Sequence, residues 1–546
     1  MSFRTRLYGS PLYDLLLRVK APDGLAVRPP DPWPGEPAIA DRLFQGRYRF
    51  GDEEVVSTTD APWTAPGASL TWLIDLHGFD WLRHFEAAGA EAATRHARAL
   101  TGSWLRLFGR WQRLAWRADV LGRRLITWCS HAGMLLEGAD AGFRTAFLTS
   151  MAKQVKHLHR DLASAPAGRP RLTALLAQVY AALCLRDERA RLNRALHQLE
   201  REMEAQVLGD GGHASRNPSQ HLSVLRDLIA LRGALQAGQV PAPEFLELAI
   251  DRMTPMLRFF RHGDGGLALF HGSEEEVAAA IDLVLNQAGA TGKPLNSATL
   301  SGYERLAARR GLVLFDAGSP PTAGGATPHA APLAFEFSHG RERLIVNCGA
   351  AFRHDEAALA GTFASNAARG PWTKALMSTP AHSTLTFADI NAQDAGENVP
   401  PLSVLVARDE QDGAIWLDTS HDGYRRRFGL THHRKIYLAS TGEDLRGEDT
   451  FDGPGLESAG GKRFAIRFHL HPSAQASLLQ NGSTALVKSG SGIGWQFRAG
   501  GGLLELEPSV YFGRGREQRR NQQLVVTGMM VPGEPVKVKW AFTKVG

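Results

Sequence analysis

Tyr303-Glu-Arg-Leu-Ala-Ala-Arg-Arg-Gly-Leu-Val-Leu-Phe-Asp316 is the stretch in which the period of this chain changes. Upstream, apolar residues recur at three- and four-residue intervals; from Gly311 onward they come in short runs divided by Gly, Asp, Asn and Ser. Tyr303–Arg310 reads as the last helical segment and Gly311–Asp316 as the first strand. The chain is therefore expected to be helical before this point and all-β after it.

Working back, Leu70, Leu73, Ile74, Leu76, Trp81, Leu82 and Phe85 begin the helical pattern. Further helices are expected near 91–112, 119–137, 140–163, 170–186, 188–208, 219–237 and 242–260. Repeated amphipathic helices with short connections describe an α/α array, either a bundle or a toroid. Working forward, strand-like runs include Pro332–Phe337, Arg343–Asn347, Ser383–Asp389, Ala414–Asp418, Arg463–His471 and Val536–Phe542. Their number and spacing predict a large antiparallel sandwich. Residues 1–66 are rich in Pro, Gly and aromatics and read as an extended arm with a small hairpin at Gly46–Val56. The expected organisation is thus an arm at 1–66, a helical domain at 67–305 and a β domain at 306–546.

At 546 residues the chain is too long for one core. Its 43% hydrophobic and 22% charged content is that of a globular protein rather than a disordered one. The net charge of +6 is spread along the chain, densest at Arg106–Arg124, where interleaved Trp and Leu suggest one helix face. That is a weak nucleic-acid signal and suits an acidic saccharide equally; no nucleic acid is expected as a partner. Cys129, Cys184 and Cys348 are far apart in apolar contexts, so buried free thiols are expected. No apolar run is long enough to span a membrane, and no secretory signal is recognisable, which predicts a cytoplasmic protein.

The polar stretch Asp210-Gly-Gly-His-Ala-Ser-Arg-Asn-Pro-Ser-Gln-His221 lies between two helical segments. It reads either as a ligand loop for an anionic or sugar-like group or as a helix N-cap built on Asn217 or Ser219. On Arg463–His471 the alternation puts Phe464, Ile466, Phe468 and Leu470 on one face and Arg467, His469 and His471 on the other. The two imidazoles read as a metal chelate or, preferred here for want of a neighbouring carboxylate, as a solvated strand face. Gly490-Ser-Gly-Ile-Gly494 opens no helix and is expected to be a hairpin turn.

Taken in order, several pieces resemble the heparinase II/III-like polysaccharide lyases, whose members join an α/α toroid to a C-terminal antiparallel β-sandwich. They are Trp72–Phe85, Gly122–Trp128, Asp210–His221, Gly302–Leu306, Phe315–Gly318, Ala381-His-Ser-Thr-Leu385, His421-Asp-Gly-Tyr424, Gly429–Arg434 and Arg467–Pro472. The resemblance implies β-elimination on a uronate-containing acidic oligo- or polysaccharide. An amide or cation neutralises the uronate carboxylate, and a Tyr or His moves the C5 proton and protonates O4. It implies His213 and Asn217 for carboxylate neutralisation, Arg216 for binding it, and His382 and Tyr424 for catalysis. It also implies one structural divalent metal, zinc by preference, on His432 with Asp389. Family enzymes place a catalytic Tyr downstream of the polar loop; Asp264–His271 contains none, and His271 is the chemically able stand-in. Ser383 stands where the family pattern often has Asn. Many members work in the periplasm or envelope, the alternative to a cytoplasmic location. The rival function is a non-catalytic acidic-glycan-binding or envelope-assembly protein on the same fold.

Overall fold

The computed structural model describes residues 3–51, 53–57, 61–185, 189–289, 291–322, 328–350, 371–393, 400–479, 482–514 and 517–545. The chain divides into two compact units, one of Met1–Ala205 with Arg226–Ala249, the other of Gln206–Leu225 with Ile250–Gly546.

The first unit is helical. Residues expected as an extended arm instead carry three short helices, α1 (Phe3–Tyr8), α2 (Pro11–Leu16) and α3 (Pro37–Phe44), followed by the expected hairpin of β1 (Arg47–Phe50) and β2 (Glu53–Val56). The expected helices follow as α4 (Leu70–Gly78), α5 (Leu82–Ala88), α6 (Glu91–Phe108), α7 (Ala118–Ser130), α8 (Ala132–Leu136), α9 (Ala141–Asp161), α10 (Arg169–Cys184) and α11 (Arg189–Gln206). Helix α7 packs against α4, α9 and α10, and Trp72, Trp104 and Trp128 are fully buried. The arginine-rich segment is not one helix face, because α6 stops at Phe108 and α7 starts at Ala118. Arg124 is buried, its guanidinium 4.2 Å over the Trp104 ring and donating to His77 O, Ala115 O and Gln154 Oε1. A cation used this way builds a core rather than a polyanion-binding surface. Helices α12 (Pro218–Ala237) and α13 (Glu244–Phe259) each cross the limits of the two units.

The second unit adds α14 (Ala278–Ala288) and then strands throughout. One sheet is built on β3 (Ser297–Ala298), β4 (Tyr303–Ala308), β5 (Gly311–Asp316), β6 (Phe335–His339), β7 (Glu342–Val346), β8 (Leu385–Phe387), β13 (Arg463–Leu470), β17 (Leu503–Tyr511) and β18 (Arg519–Met529). The other runs β14-β15-β16-β19-β12-β11-β10-β9. Its members are β9 (Val404–Gln411), β10 (Ala414–His421), β11 (Thr431–Leu438), β12 (Asp444–Asp452), β14 (Gln475–Leu478), β15 (Thr484–Lys488), β16 (Gly494–Gly500) and β19 (Lys537–Val545). All pairings between these strands are antiparallel among the described residues, and one apolar core takes Phe335, Phe387, Phe468, Phe497 and Trp540 from the two sheets. Gly490–Gly494 lies in the β15–β16 hairpin, as expected.

Two strand readings are corrected. Tyr303–Ala308 is not helical: it pairs with β5 from Tyr303↔Asp316 to Ala308↔Gly311. The turn uses Arg309 at φ 47°, so a two-residue hairpin closes where helix propensity alone would have continued. The second face of β13 is not solvated at His469, which is buried, its ring between Ser509 Oγ at 2.8 Å and Pro380 O at 3.0 Å. No helix among the described residues is long and apolar enough to cross a membrane.

Candidate functional site

The loop 206–217 is shaped by its own backbone and by Asp210. Gly211 takes φ 85°, and a Cβ there would lie 2.0 Å from Arg252 O. Asp210 accepts from Gly212 N at 3.0 Å, from Ser301 N at 2.6 Å and from Ser301 Oγ at 2.6 Å, which ties the loop to the start of the sandwich. The loop's asparagine takes the N-cap role. Asn217 Oδ1 caps α12 by accepting from Gln220 N at 3.0 Å, while its Nδ2 donates to His271 O at 2.8 Å.

Arg216 sits at φ 56°, an unusual backbone for a non-glycine residue, and its side chain is held on every nitrogen. Nε donates to Ser301 O at 2.7 Å, Nη1 to Ser319 O at 2.7 Å, and Nη2 to Gly302 O at 2.8 Å and to Asp316. The guanidinium lies 4.6 Å over the Tyr303 ring, whose hydroxyl donates to Arg216 O. Burial opposes its charge, but Asp316 beside it holds Arg216 above the ordinary guanidinium value. Burial likewise opposes the charge of Asp316, and Arg216 and His271 more than offset it, keeping the carboxyl below the usual range. Arg216 is thus spent inside the protein and does not present itself to a ligand.

Three imidazoles follow. His271 Nε2 lies 3.0 Å from Asp316 Oδ2, and its Nδ1 receives His329 N at 3.4 Å. His329 Nδ1 lies 3.0 Å from His382 Nε2, and His382 Nδ1 lies 2.8 Å from Ser378 O. All three rings are buried, and burial lowers each below the ordinary imidazole value, His382 to about 4. Gly272, at φ 83°, borders the cluster: a Cβ there would stand 3.6 Å from both Asn217 Nδ2 and His329 Nε2. Gly272→Ala is expected to cost about 1–2 kcal/mol in chemical denaturation, from the left-handed backbone alone. Its methyl would also stand against both nitrogens.

The structure therefore brings Asn217, Arg216, His271 and His382 together, and adds His329 and Asp316. His213 turns to its own loop, with Nδ1 2.7 Å from Ser215 Oγ and Nε2 3.1 Å from Gln206 Oε1. Tyr424 is not brought to the cluster. It is buried in the sandwich core, its hydroxyl donating to Leu385 O at 3.2 Å and accepting from Phe387 N at 3.3 Å, and burial raises its pKa. His432 and Asp389 are not assembled as a pair of metal ligands either. His432 Nε2 lies 2.8 Å from Asp449 Oδ1 and its Nδ1 3.0 Å from His421 Nε2, whereas the Asp389 side chain is 72% exposed beside Arg463. Asp449 also accepts from Arg434 Nε at 2.7 Å, so a guanidinium already occupies the place a cation would take. The residues do not fit the expected ion. Among the described residues, no group of three or more His, Cys, Asp or Glu is arranged to hold a metal. His329 escaped the reading of the sequence; its only local signal is a histidine bracketed by Pro328 and Pro332 at the entry to a buried strand.

A helical region followed by an antiparallel sandwich, with this loop and histidine set in the second unit, defines a class: the chain belongs to the heparinase II/III-like family. Residues 290–541 match the family model described as heparinase II/III-like, C-terminal. Over nearly its whole length the chain is similar to FtsZ-localized protein C of Caulobacter vibrioides (strain NA1000 / CB15N), 32% identical over 556 residues, covering 98% of this chain and 93% of that protein. Among solved structures, heparinase III has a TM-score of 0.74 at 13% identity, covering 97% of this chain and 89% of its own. The heparan sulfate lyase HepC of Pedobacter heparinus has a TM-score of 0.61 at 14% identity, covering 93% and 82%. The fold is that of polysaccharide lyases, an α/α toroid followed by a β-sandwich.

Proposed function

We propose that this chain is a polysaccharide lyase that cleaves an acidic, uronate-containing glycan by β-elimination. The observation that carries the reading is the facing of the Asn217 amide and a neutral histidine cluster at Gly272. A uronate C5 proton becomes acidic when the adjacent carboxylate is met by a hydrogen-bond donor, and a neutral imidazole can accept it. The products are two shorter saccharides, one with an unsaturated uronate at its new end. Incubation with a panel of uronate polymers and oligomers is expected to raise the ultraviolet absorbance of that unsaturated sugar. Folded protein that stays silent across the panel would sink the reading.

A second reading, an acidic-glycan-binding or envelope-assembly protein without turnover, draws support from two observations. Arg216 and His271 are committed to Asp316, and the Tyr303 hydroxyl to Arg216 O. The full-length likeness to a protein named as FtsZ-localized supports action at the same place as FtsZ. This reading expects oligosaccharide binding in calorimetry without product, and a fluorescent fusion that coincides with FtsZ. A diffuse fusion would remove the second support.

A further inference from the structure

We propose that Nε2 of His329 is the atom that takes the C5 proton, and that His382 acts through His329 as a positioning residue. The inference rests on the lyase reading above and names its base.

The assignment follows from which atoms can only accept. Ser378 O is a carbonyl, so His382 Nδ1, 2.8 Å away, must carry the ring proton. In a neutral His382 the Nε2 then holds a lone pair. His329 Nδ1, 3.0 Å from that lone pair, must in turn be protonated. The second nitrogen of His329 is thereby left as a bare lone pair. It has no hydrogen-bond partner among the described residues, on a ring only 1% exposed. A buried unpaired acceptor costs about 1–3 kcal/mol, so a fold that retains one points to a ligand that completes it.

The ligand's character can be read from the neighbouring groups. Asn217 Nδ2 carries two hydrogens and gives one to His271 O. Asn217 Nδ2 and His329 Nε2 therefore flank Gly272 together, one as a hydrogen-bond donor and the other as a proton acceptor, each 3.6 Å from where a Cβ there would stand. A carboxylate oxygen and an acidic C–H on adjacent atoms, as in a uronate, match that pair. His271 cannot play the same part, since Nε2 is spent on Asp316 and Nδ1 on His329 N. Burial, reinforced by His382 and His271, keeps His329 neutral well below the ordinary imidazole pKa, so the lone pair persists through mildly acidic pH.

The step balances without a co-reactant. The N–H bond forms on Nε2 as C5–H breaks. The freed pair becomes the C4=C5 double bond as C4–O4 breaks with its own pair. The proton then passes from Nε2 to O4, which restores the neutral ring.

The test compares wild type with His329→Asn, His382→Gln and His382→Leu on the same uronate panel. Asn at 329 keeps a donor toward His382 and removes the lone pair. It is expected to retain oligosaccharide binding and thermal stability while turnover falls about 10²–10⁴-fold, the usual share of a general base. Gln at 382 keeps an acceptor for His329 Nδ1 and is expected to hold kcat and the pH profile near wild type. Leu at 382 frees the tautomer and is expected to lower kcat and displace the acidic limb of the profile. Ring ¹⁵N spectra of the wild type give a readout independent of activity, with the His329 proton expected on Nδ1. An active wild type with His329→Asn turnover within threefold overturns the base and leaves the lyase reading standing, as does a spectrum with the His329 proton on Nε2. A folded wild type inert on every substrate overturns the lyase reading and the base with it.

Discussion

Lowering the pH from 7 to 5 is expected to destabilise the C-terminal unit by several kcal/mol, before Asp316 or Asp449 titrates. The cause is a set of imidazoles buried in neutral form. Burial lowers His221 and His382 to about 4 and His469 to about 3. The unfolded chain binds those protons near pH 6.5. Between 6.5 and the folded values the unfolded state therefore holds more protons, so stability falls as pH falls through this window. At pH 5 each such histidine removes about 2 kcal/mol, and His329 and His421 act in the same direction. Typical domains hold only about 5–15 kcal/mol in total. Asp316 and Asp449 behave oppositely in mechanism: their folded values are lowered, so their contribution is complete above about pH 4 and is lost only as pH falls further. Denaturant titrations at half-unit pH steps should show the loss beginning near 6.5. A flat profile down to pH 4 would mean that these rings are protonated or solvated in the folded protein.

The second large effect is expected at Asp449. This carboxylate is fully buried and accepts from His432 Nε2 at 2.8 Å, Arg434 Nε at 2.7 Å and Trp540 Nε1 at 2.9 Å. Arg434 is equally buried and also donates to Leu333 O and Ser383 O, which tie β11 to the segments leading into β6 and β8. Asp449→Asn keeps the shape and removes the charge, leaving a guanidinium in the core without its counter-ion. A cost of about 3–5 kcal/mol follows, measured by equilibrium unfolding. The paired replacement Arg434→Met with Asp449→Leu should cost less than Asp449→Asn alone, because it removes both charges together. If the pair costs as much as the sum of its single changes, the two side chains are not coupled.

The helices were legible because apolar residues recur at three- and four-residue intervals over several turns, as on α6 and α9. Strands were legible where apolar alternation was clean, as on β13 and β19. Strand β12 was hidden: Asp444-Leu-Arg-Gly-Glu-Asp-Thr-Phe-Asp452 looks like a solvated loop, yet Leu445, Asp449 and Phe451 face inward and Gly447 accommodates the Trp540 ring. Helix α14 was not anticipated, since its alanine-rich start carries no large apolar residue to show a period. Within the site, Asn217, Arg216, His271 and His382 were recognisable as residue types, but their division of labour was not. Whether an arginine meets a ligand or a buried aspartate depends on Asp316, a hundred residues away in sequence and on another element. His329 has no local signal beyond its flanking prolines; the hydrogen bonding of its two ring nitrogens sets it apart.

The interleaving of the two units bears on how the protein is made and cut. Residues 206–225 leave the helical unit, the chain returns there for 226–249, and then it enters the second unit for good. During synthesis the first unit has its full complement of residues only after Ala249 has emerged, and the segment holding Asn217 must wait for strands made much later. No single cleavage of the chain separates the two units, since a cut before Gln206 leaves residues 226–249 of the first unit with the second. A fragment limited to the family-matched residues 290–541 would keep His329 and His382 but lose Arg216, Asn217 and His271. Asp316 would then remain buried without the cation that balances it. Recombinant dissection of this protein is therefore better done by point substitution than by truncation.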